Sequence, residues 1–524
     1  LKCKTLYFVW VFIAYNCIAQ QDNYPLSFEL NRLLEPAAQK LESNLHTSVK
    51  PYLRSELSHN NIKPELSVLG IKNDSSFWAK TLNDFYVSSD KKIIFKLFPL
   101  LNAQQSFSDK NNFNAYAGGL NLLLHTGKKL SIYAEGFYEN ARFADYIHTY
   151  SDTLHISPGF GYTDIQNKRY NSRFANGYIS YTPHRYFNFQ AGKGKHFIGD
   201  GYRSLLLSDN AAFYPYLRLS TTFWRIKYIN LFTLMNDMYG IETNKTLHKR
   251  KFVSAHYINW NISKRVSLGI FESVIWQAKD TLQNRQFDIN YLNPFVFYRP
   301  VEYSLGSSDN VLLGMNLKVK INDHYQIYSQ LMLDEFLLKQ IRADSGWWAN
   351  KYGIQIGAKA IEPFGIKNFI IQSEYNIARP FIYSHGSVQQ NYGHNNASLA
   401  HPWGANFKEW VSIISYSRKN FYLEYQFVTG FYGTDTNAVL NYGGNIYQSY
   451  SNRAREYHNY IGQGLKNNLK YSRFKLAYLL IPATNLQIFA EYVYRSLSNT
   501  QYNHKNHFIN VGISTRIWNR YVDY

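Results

Sequence analysis

The run LSIYAEGFY, residues 130–138, decides the fold. Leu130, Ile132, Ala134 and Tyr138 fall on one face of a two-residue period; Ser131, Tyr133, Glu135 and Phe137 fall on the other. The pattern returns at 369–377, where Phe369, Ile371, Tyr375 and Ile377 alternate with Ile370, Gln372, Glu374 and Asn376. It returns again at 486–493, where Leu486, Ile488, Ala490 and Tyr492 alternate with Gln487, Phe489, Glu491 and Val493. One face is greasy and the other mixed. A sandwich strand also alternates, but it averages about 5–6 residues, whereas these runs reach roughly 9 to 13, the length a tilted strand needs to cross a bilayer.

Working outward, about eighteen such runs begin near residues 93, 112, 128, 172, 185, 215, 227, 250, 264, 310, 324, 351, 367, 409, 420, 467, 485 and 507. Their connections alternate in length. Tight turns are expected at His125–Lys128, Tyr181–His184, Asn261–Lys264, Ile321–Asp323, Pro363–Ile366, Ser417–Lys419 and Ile481–Thr484. Long polar segments lie at about 145–171, 193–214, 277–309, 335–350, 378–408 and 431–466. Short turns at one end and long loops at the other is how outer-membrane barrels are arranged, with the periplasm at the short end. The expected fold is therefore all-β: a transmembrane antiparallel β-barrel of about eighteen strands over 93–524, behind a small, partly helical periplasmic segment at 20–92. Helix-like spacing of Leu26, Leu30, Leu33, Leu34, Ala37, Leu41 and Leu45, interrupted by Pro36, supports that segment; a flexible arm is the alternative.

Composition agrees. Aromatics make up 17 % of the 524 residues, with 46 Tyr and 35 Phe but only 4 Met, as aromatic girdles require. Leu1–Ala19 reads as a secretory signal peptide, charged at Lys2 and Lys4 and apolar from Leu6 to Ala14. Both cysteines, Cys3 and Cys17, leave with it, so the mature chain is expected to have no disulfide, cysteine nucleophile or Cys-ligated metal. Export also argues against nucleic acid as the partner of the +20 net charge; acidic glycans or lipopolysaccharide phosphates fit better, as does a simple spread over solvated loops. At the far end, Ile509, Val511, Ile513, Thr515 and Ile517 alternate with polar residues before Trp518, Tyr521 and Tyr524, which reads as a last strand ending in aromatics.

One connection is unlike the rest. Gly192–Asn210, GKGKHFIGDGYRSLLLSDN, is too long and too charged for a hairpin turn. Its glycines at 192, 194, 199 and 201 permit positive φ and close backbone approach. Lys193, Lys195, His196, Asp200, Tyr202, Arg203 and Asp209 supply donors and acceptors. Either the loop folds into the lumen as a plug, or it faces a ligand, with Lys193, Lys195, His196 and Arg203 contacting acidic or hydroxyl groups.

Evidence for catalysis is weak. Inward Glu135, Glu374, Glu424 and Glu491, with Gln330, read as a polar lumen wall pairing with residues such as Arg142 and Arg495; a glycosidase pair would need two carboxyls brought close together. Neither Ser204 nor Ser345 sits in G-x-S-x-G, no H-E-x-x-H occurs, and His385, His394 and His401 lack ligand-like acidic neighbours. No enzyme activity, metal or cofactor is expected.

Aromatic, amide-rich loops point elsewhere. Leu333–Tyr352 places Trp347 and Trp348 among Asp334, Glu335, Arg342, Asp344 and Lys351; His385–Trp410, with His401, and Asn441–Tyr460 are rich in Asn, Gln, His and Tyr. Sugars stack apolar faces on rings and need fixed hydrogen-bonding partners, so a carbohydrate surface is the natural ligand; an interfacial belt with turn-forming Asn and Gly is the alternative.

The stretches GDGYRSLLLSDNAAFYPYLRL (199–219), NPFVFYRPVEYSLGSSDNVLLG (293–314), LMLDEFLLKQI (331–341) with GWWANKYGIQIG (346–357), and LAHPWGANFKEW (399–410) together resemble the capsule-assembly Wzi family. The form resembled is the Bacteroidetes one, which includes the RemB-like gliding-motility proteins. The resemblance covers about residue 95 to the end and implies an eighteen-stranded outer-membrane barrel with a helical periplasmic cap, acting as a lectin for capsular polysaccharide. It places no ligand residues; Lys193, Lys195, His196, Asp200, Tyr202, Arg203, Asp209, Trp347, Trp348 and His401 are expected at the glycan site on their chemistry alone. A saccharide channel and a gliding or adhesin component are the competing readings.

Overall fold

The computed structural model describes residues 21–62, 86–89, 93–109, 111–241, 243–279, 285–293, 309–335, 337–437, 439–481, 484–515 and 518–524. The proposed signal peptide and most of the stretch from 63 to 92 lie outside the described residues. Eighteen long strands form one closed barrel. They are β1 Ile93–Ser108, β2 Phe113–Thr126, β3 Leu130–Ala141, β4 Arg169–His184, β5 Phe187–Gly194 and β6 Tyr214–Phe223, followed by β7 Ile226–Asp237, β8 Lys249–Asn261, β9 Val266–Gln277, β10 Asn310–Lys320, β11 Tyr325–Leu333 and β12 Tyr352–Ile361. The ring is completed by β13 Phe369–Ala378, β14 Phe407–Arg418, β15 Phe421–Thr434, β16 Leu465–Ile481, β17 Leu486–Ser498 and β18 Asn503–Ser514. Each pairs antiparallel with the next, and β18 returns to β1 through Phe508–Ser514 against Ser108–Asn102. Closure leaves no edge with unpaired backbone groups, which a wall facing lipid requires.

The alternation read from 130–138 is the alternation of the wall. Ser131, Glu135, Phe137 and Glu139 point inward and are buried, while Tyr138 on the outer face is exposed. Leu120, Ile179, Ile356, Phe421 and Ile509 are likewise exposed on the outer face, a continuous apolar surface of the kind a bilayer covers. Among the described residues no helix is long and apolar enough to cross a membrane, which says nothing of the strands.

The lumen is filled. Residues 21–62 enter at the short-turn end, where α1 (Phe28–Gln39) turns a charged edge to the wall: Glu29 takes Lys475 and Gln487, Arg32 takes Glu424, and Glu35 takes Lys359. Its other face, with Leu30, Leu34 and Ala38, packs on Leu45, Tyr52, Leu57 and Ile62 beside α2 (Arg54–His59). The expected lobe in front of the barrel is thus seated in the barrel's end, because its charged stripe matches charges on the inner wall. Two long connections, 195–213 and 379–406, fold inward from the other end, and Val49–Lys50 pairs with Phe197–Ile198 inside the barrel. The long connection after β3 carries α3 (Asp145–Leu154).

The expected aromatic-ended last strand is corrected. β18 stops at Ser514, and Trp518–Tyr524 turn into the lumen. Trp518 Nε1 donates to Glu135 at 3.0 Å, Arg520 binds Glu139 at 2.9 Å, and Tyr521 donates to Asp209 at 2.7 Å. The two-residue period misled because the inward carboxylates Glu135, Glu139 and Asp209 capture these side chains in place of a further strand pairing.

Candidate functional site

The 195–213 connection is held by the wall through its backbone. Glu374 accepts from the N–H groups of Tyr202 and Arg203 at 2.8 and 2.9 Å, Gln330 accepts from Leu205 at 2.8 Å, and Gln355 donates to the Arg203 carbonyl at 3.0 Å. These inward residues of β11, β12 and β13 satisfy backbone groups that would be costly to bury unpaired. Gly201 is required there: a Cβ would come within 2.6 Å of Glu374 and 2.9 Å of Gln355. Beyond it Leu205, Leu206 and Leu207 are buried, with Leu206 fitting against Gly314 and Leu205 against Gly353 on the inner wall.

Arg203 is the anchor. Its side chain is 0 % exposed and binds Glu409, also 0 % exposed, at 2.7 Å and Asp523 at 3.0 Å. His401 Nε2 lies 2.6 Å from the other Glu409 oxygen, and His401 Nδ1 accepts from the Trp403 N–H at 3.1 Å. Nδ1 is therefore bare and Nε2 carries the hydrogen. Burial pushes the His401 imidazole below its ordinary pKa despite Glu409, in keeping with a neutral ring. Asn376 donates to Glu409, while Gln426 and the Tyr202 hydroxyl donate to Asp523. One cation serves two carboxylates, and neutral donors supply the remainder.

The other sequence-predicted residues are used in the same way. Lys195 is buried and gives its ammonium to the Gly159 and Asp209 carbonyls at 2.6 and 2.9 Å; burial pushes it down to about 8 against the pull of Asp209. His196 meets Tyr214 at 3.2 Å and packs edge-on to Tyr216, and burial, with Arg218, holds it well below its ordinary pKa. Asp200 accepts from Thr47 and from Asn316. Burial alone would raise its carboxyl, but Lys318 and Lys50 with those hydrogen bonds outweigh it and hold it at about 2. Asp209 takes Tyr521 and Asn519, and burial raises its pKa. Lys193 is half-buried at the end of β5. The structure thus gathers 195–209, His401 and Asp523 into one internal network and spends most of their hydrogen bonds on the protein, His196 Nε2 being the exception among these residues. The His385–Trp410 stretch, expected as a sugar-facing loop, is largely interior too: Tyr383 and Tyr392 donate to the Leu205 and Leu206 carbonyls, and Gln390, Asn391, His394 and Asn396 are buried.

Trp347 and Trp348 differ. They sit half-exposed at the long-loop end, where 345–348 hydrogen-bonds to 456–459 through Trp348 N to Glu456 O at 3.0 Å and His458 N to Ser345 O at 2.9 Å. Both indole N–H groups point to one oxygen of Glu456, each at 3.0 Å. Trp348 packs on Tyr450 at 4.6 Å, and the Arg453 guanidinium lies over its ring at 4.5 Å while pairing with Glu456. Exposed Tyr457 and Tyr460 extend the surface. Sequence reading named this stretch but did not single out Tyr450, Arg453 or Glu456; the Arg-x-x-Glu spacing beside aromatics was the available signal. Half-exposed rings bordered by a guanidinium and a carboxylate can stack on a sugar face and bind its hydroxyls. Among the described residues no cluster of ligating side chains fits a metal ion.

No known protein family matches the chain, and no curated protein matches it. Among solved structures, the chain is similar to Wzi of Escherichia coli, described as an outer membrane protein involved in group 1 capsule assembly and a carbohydrate binding β-barrel. The TM-score is 0.57 at 11 % identity, over 94 % of this chain and 99 % of that one. OprD of Pseudomonas aeruginosa follows with a TM-score of 0.43 at 10 % identity, over 80 % of this chain and 94 % of that one, and OccAB2 of Acinetobacter baumannii with 0.42 at 11 %, over 80 % and 97 %. At such identities the Wzi likeness shows the fold, a closed antiparallel barrel.

Proposed function

We propose that this chain is an outer-membrane, lectin-like barrel that binds surface or capsular polysaccharide at its long-loop end and helps to attach or assemble it there. It carries out no chemical step. The short turns and the 21–62 cap then face the periplasm, and lipid and lipopolysaccharide cover the apolar outer wall. The observation that carries the reading is the contrast between the lumen, where segments from both ends are bound to the wall and to each other, and the half-exposed Trp347–Trp348–Tyr450 surface. A conduit needs an open path and weak sites along it; a binder needs only the mouth. The carbohydrate binding stated for the E. coli Wzi barrel of similar fold adds support, as does the Wzi resemblance of the four sequence stretches. Assignment to the Bacteroidetes form, and any gliding role, rests on that sequence resemblance alone.

The experiment measures binding of purified surface polysaccharide to detergent-solubilised protein, alongside conductance in planar bilayers. Saturable binding with no unitary current supports the reading. Steady single-channel current without glycan binding would replace it with a channel.

A further inference from the structure

The short-turn end carries a patch that neither the plug nor the Trp347–Trp348 surface uses. It is built on the β4–β5, β6–β7 and β8–β9 turns, which are neighbours. Tyr186 of the first lies edge-on to Phe223 of the second at 5.3 Å, and the Arg225 carbonyl of the second accepts from the Asn261 N–H at 2.9 Å beside the third.

Its charge is of one sign. Arg185, Lys264 and Arg265 are exposed and Arg225 is half-buried, and among the described residues none of the four pairs with a carboxylate. Arg185 and Arg225 lie instead over the rings of Tyr186 and Trp224, at 4.7 and 5.7 Å. A recess on the lumen side brings one carboxylate, Glu42, alongside, so the patch keeps a positive excess. Other short turns continue the sign, with Lys128, Lys129, Lys367, Arg418 and Lys419 against Asp323 and Glu362. Cations at the long-loop end are matched locally: Arg285 by Asp288 and Asp309, Lys351 by Asp334, Arg453 by Glu456.

Rings stand among the unmatched cations. Phe223 and Trp224 are 60 % and 63 % exposed, with Phe187, Trp260 and Ile262 exposed beside them. Phe187 opens β5 and Phe223 closes β6, so this apolar surface continues the outer wall. A strand rises about 3.3 Å per residue, which puts Arg185 and Arg225 within about 7 Å of the wall's last rings, at the depth of lipid headgroups. Rings at the interface with arginine and lysine just beyond them match a lipid surface whose phosphates are the complementary charge. An acidic soluble partner would answer the charge but not the continuity of the rings with the wall.

We propose that the β4–β5, β6–β7 and β8–β9 turns bind anionic phospholipid, one whose phosphate has no compensating ammonium, in the leaflet around the short-turn end. Arg185, Arg225, Lys264 and Arg265 contact the headgroup phosphates, and Phe223 and Trp224 sit against the upper acyl chains. This rests on the outer-membrane placement within the proposed function, and not on glycan binding.

The test attaches a fluorophore at Ile262→Cys, in a sequence with no cysteine after Cys17, and reconstitutes the full chain into phosphatidylcholine vesicles. Phosphatidylglycerol or phosphatidylcholine carrying a nitroxide near its headgroup is then added as the quencher. Half-quenching is expected at about fivefold less of the phosphatidylglycerol, the worth of one cation at a membrane surface, and the preference should fade in about 1 M salt. The triple variant Arg225→Gln/Lys264→Gln/Arg265→Gln should bring the two lipids level, with heat-modifiable gel migration confirming a folded barrel. Lys168→Gln/Lys505→Gln, exposed at the long-loop end, should retain the preference. Equal quenching in the parent protein, or a preference that survives the triple variant, overturns the inference and leaves the cations to an acidic soluble partner. Inorganic phosphate that abolishes the preference, where chloride of equal ionic strength does not, marks a site for free phosphate and overturns it too. Polysaccharide binding is measured on the same preparations. Lipid preference without it leaves this inference standing and removes the proposed glycan function; polysaccharide binding without lipid preference does the reverse.

Discussion

At Arg203 a guanidinium sits with no exposure between Glu409 and Asp523; at Arg453 a guanidinium lies over Trp348, paired with a Glu456 that is 44 % exposed. Both clusters combine arginine, carboxylate, aromatic ring and histidine or amide neighbours. In the first, ring and charge are consumed in fastening the 195–213 connection to β13, β14 and segment 518–524. In the second, backbone bonds between 345–348 and 456–459 hold the scaffold, and Trp347, Trp348 and Tyr450 stay half-exposed. Residue chemistry alone does not mark a binding site. What marks it is hydrogen-bonding and stacking capacity left over after the fold has taken its share.

That difference can be broken most severely at Arg203. Replacement by Ala leaves Glu409 and Asp523 buried without their cation, a loss of about 3–5 kcal/mol from the plug. Because the closed ladder holds the wall independently, the variant should still migrate as a folded barrel while unitary current appears in planar bilayers. A silent bilayer would mean that the plug does not depend on this anchor.

Gly201→Val should have a smaller effect of the same kind. Its side chain would collide with Glu374 and Gln355, at a cost of up to about 3 kcal/mol, and proteolysis within 195–213 should become faster. Unchanged protection would show that the wall contacts can shift at little cost.

Acid should act through Asp200, which links the plug to Thr47 and to Lys318. Its folded pKa of about 2 lies below the ordinary value of 3.8, so the group binds fewer protons folded than unfolded between those values. It therefore contributes roughly 2 kcal/mol that is fully present above about pH 4 and is lost as the pH falls toward 2. Thermal unfolding of wild type and Asp200→Asn, compared at pH 6 and pH 2.5, should show the gap closing in acid. A gap that widens would reverse the sign of the argument.

The exposed cluster should be nearly indifferent in stability. Arg453→Ala removes a solvent-facing pair and should cost less than about 1 kcal/mol by thermal unfolding, even as it uncovers Trp348.

The wall was legible in the sequence. All eighteen strands begin within four residues of the positions read from alternation, because lipid outside and a polar lumen inside impose a strict period of two. The glycines of 199–201 also announced a close backbone approach, realised where Gln330, Gln355 and Glu374 reach the chain. Direction was not legible. Whether a polar loop turns into the barrel or out of it depends on partners several strands away, such as Glu374 for Tyr202 and Glu409 for both Arg203 and His401, and no local pattern encodes those distances. Trp518–Tyr524 fail for the same reason: the alternation that runs up to them gives no sign that Glu135, Glu139 and Asp209 lie inside to receive their side chains.

The most direct measurement compares glycan affinity when each cluster is altered in turn. Calorimetry with purified surface polysaccharide on Trp347→Ala/Trp348→Ala should show affinity reduced by about tenfold or more, from the loss of two stacking faces, with heat-modifiable migration unchanged. Lys195→Ala, within the plug, should leave affinity close to wild type in a barrel of normal abundance. The reverse result, with full binding by the double tryptophan variant and lost binding at Lys195, would return the glycan to the plug and contradict the account.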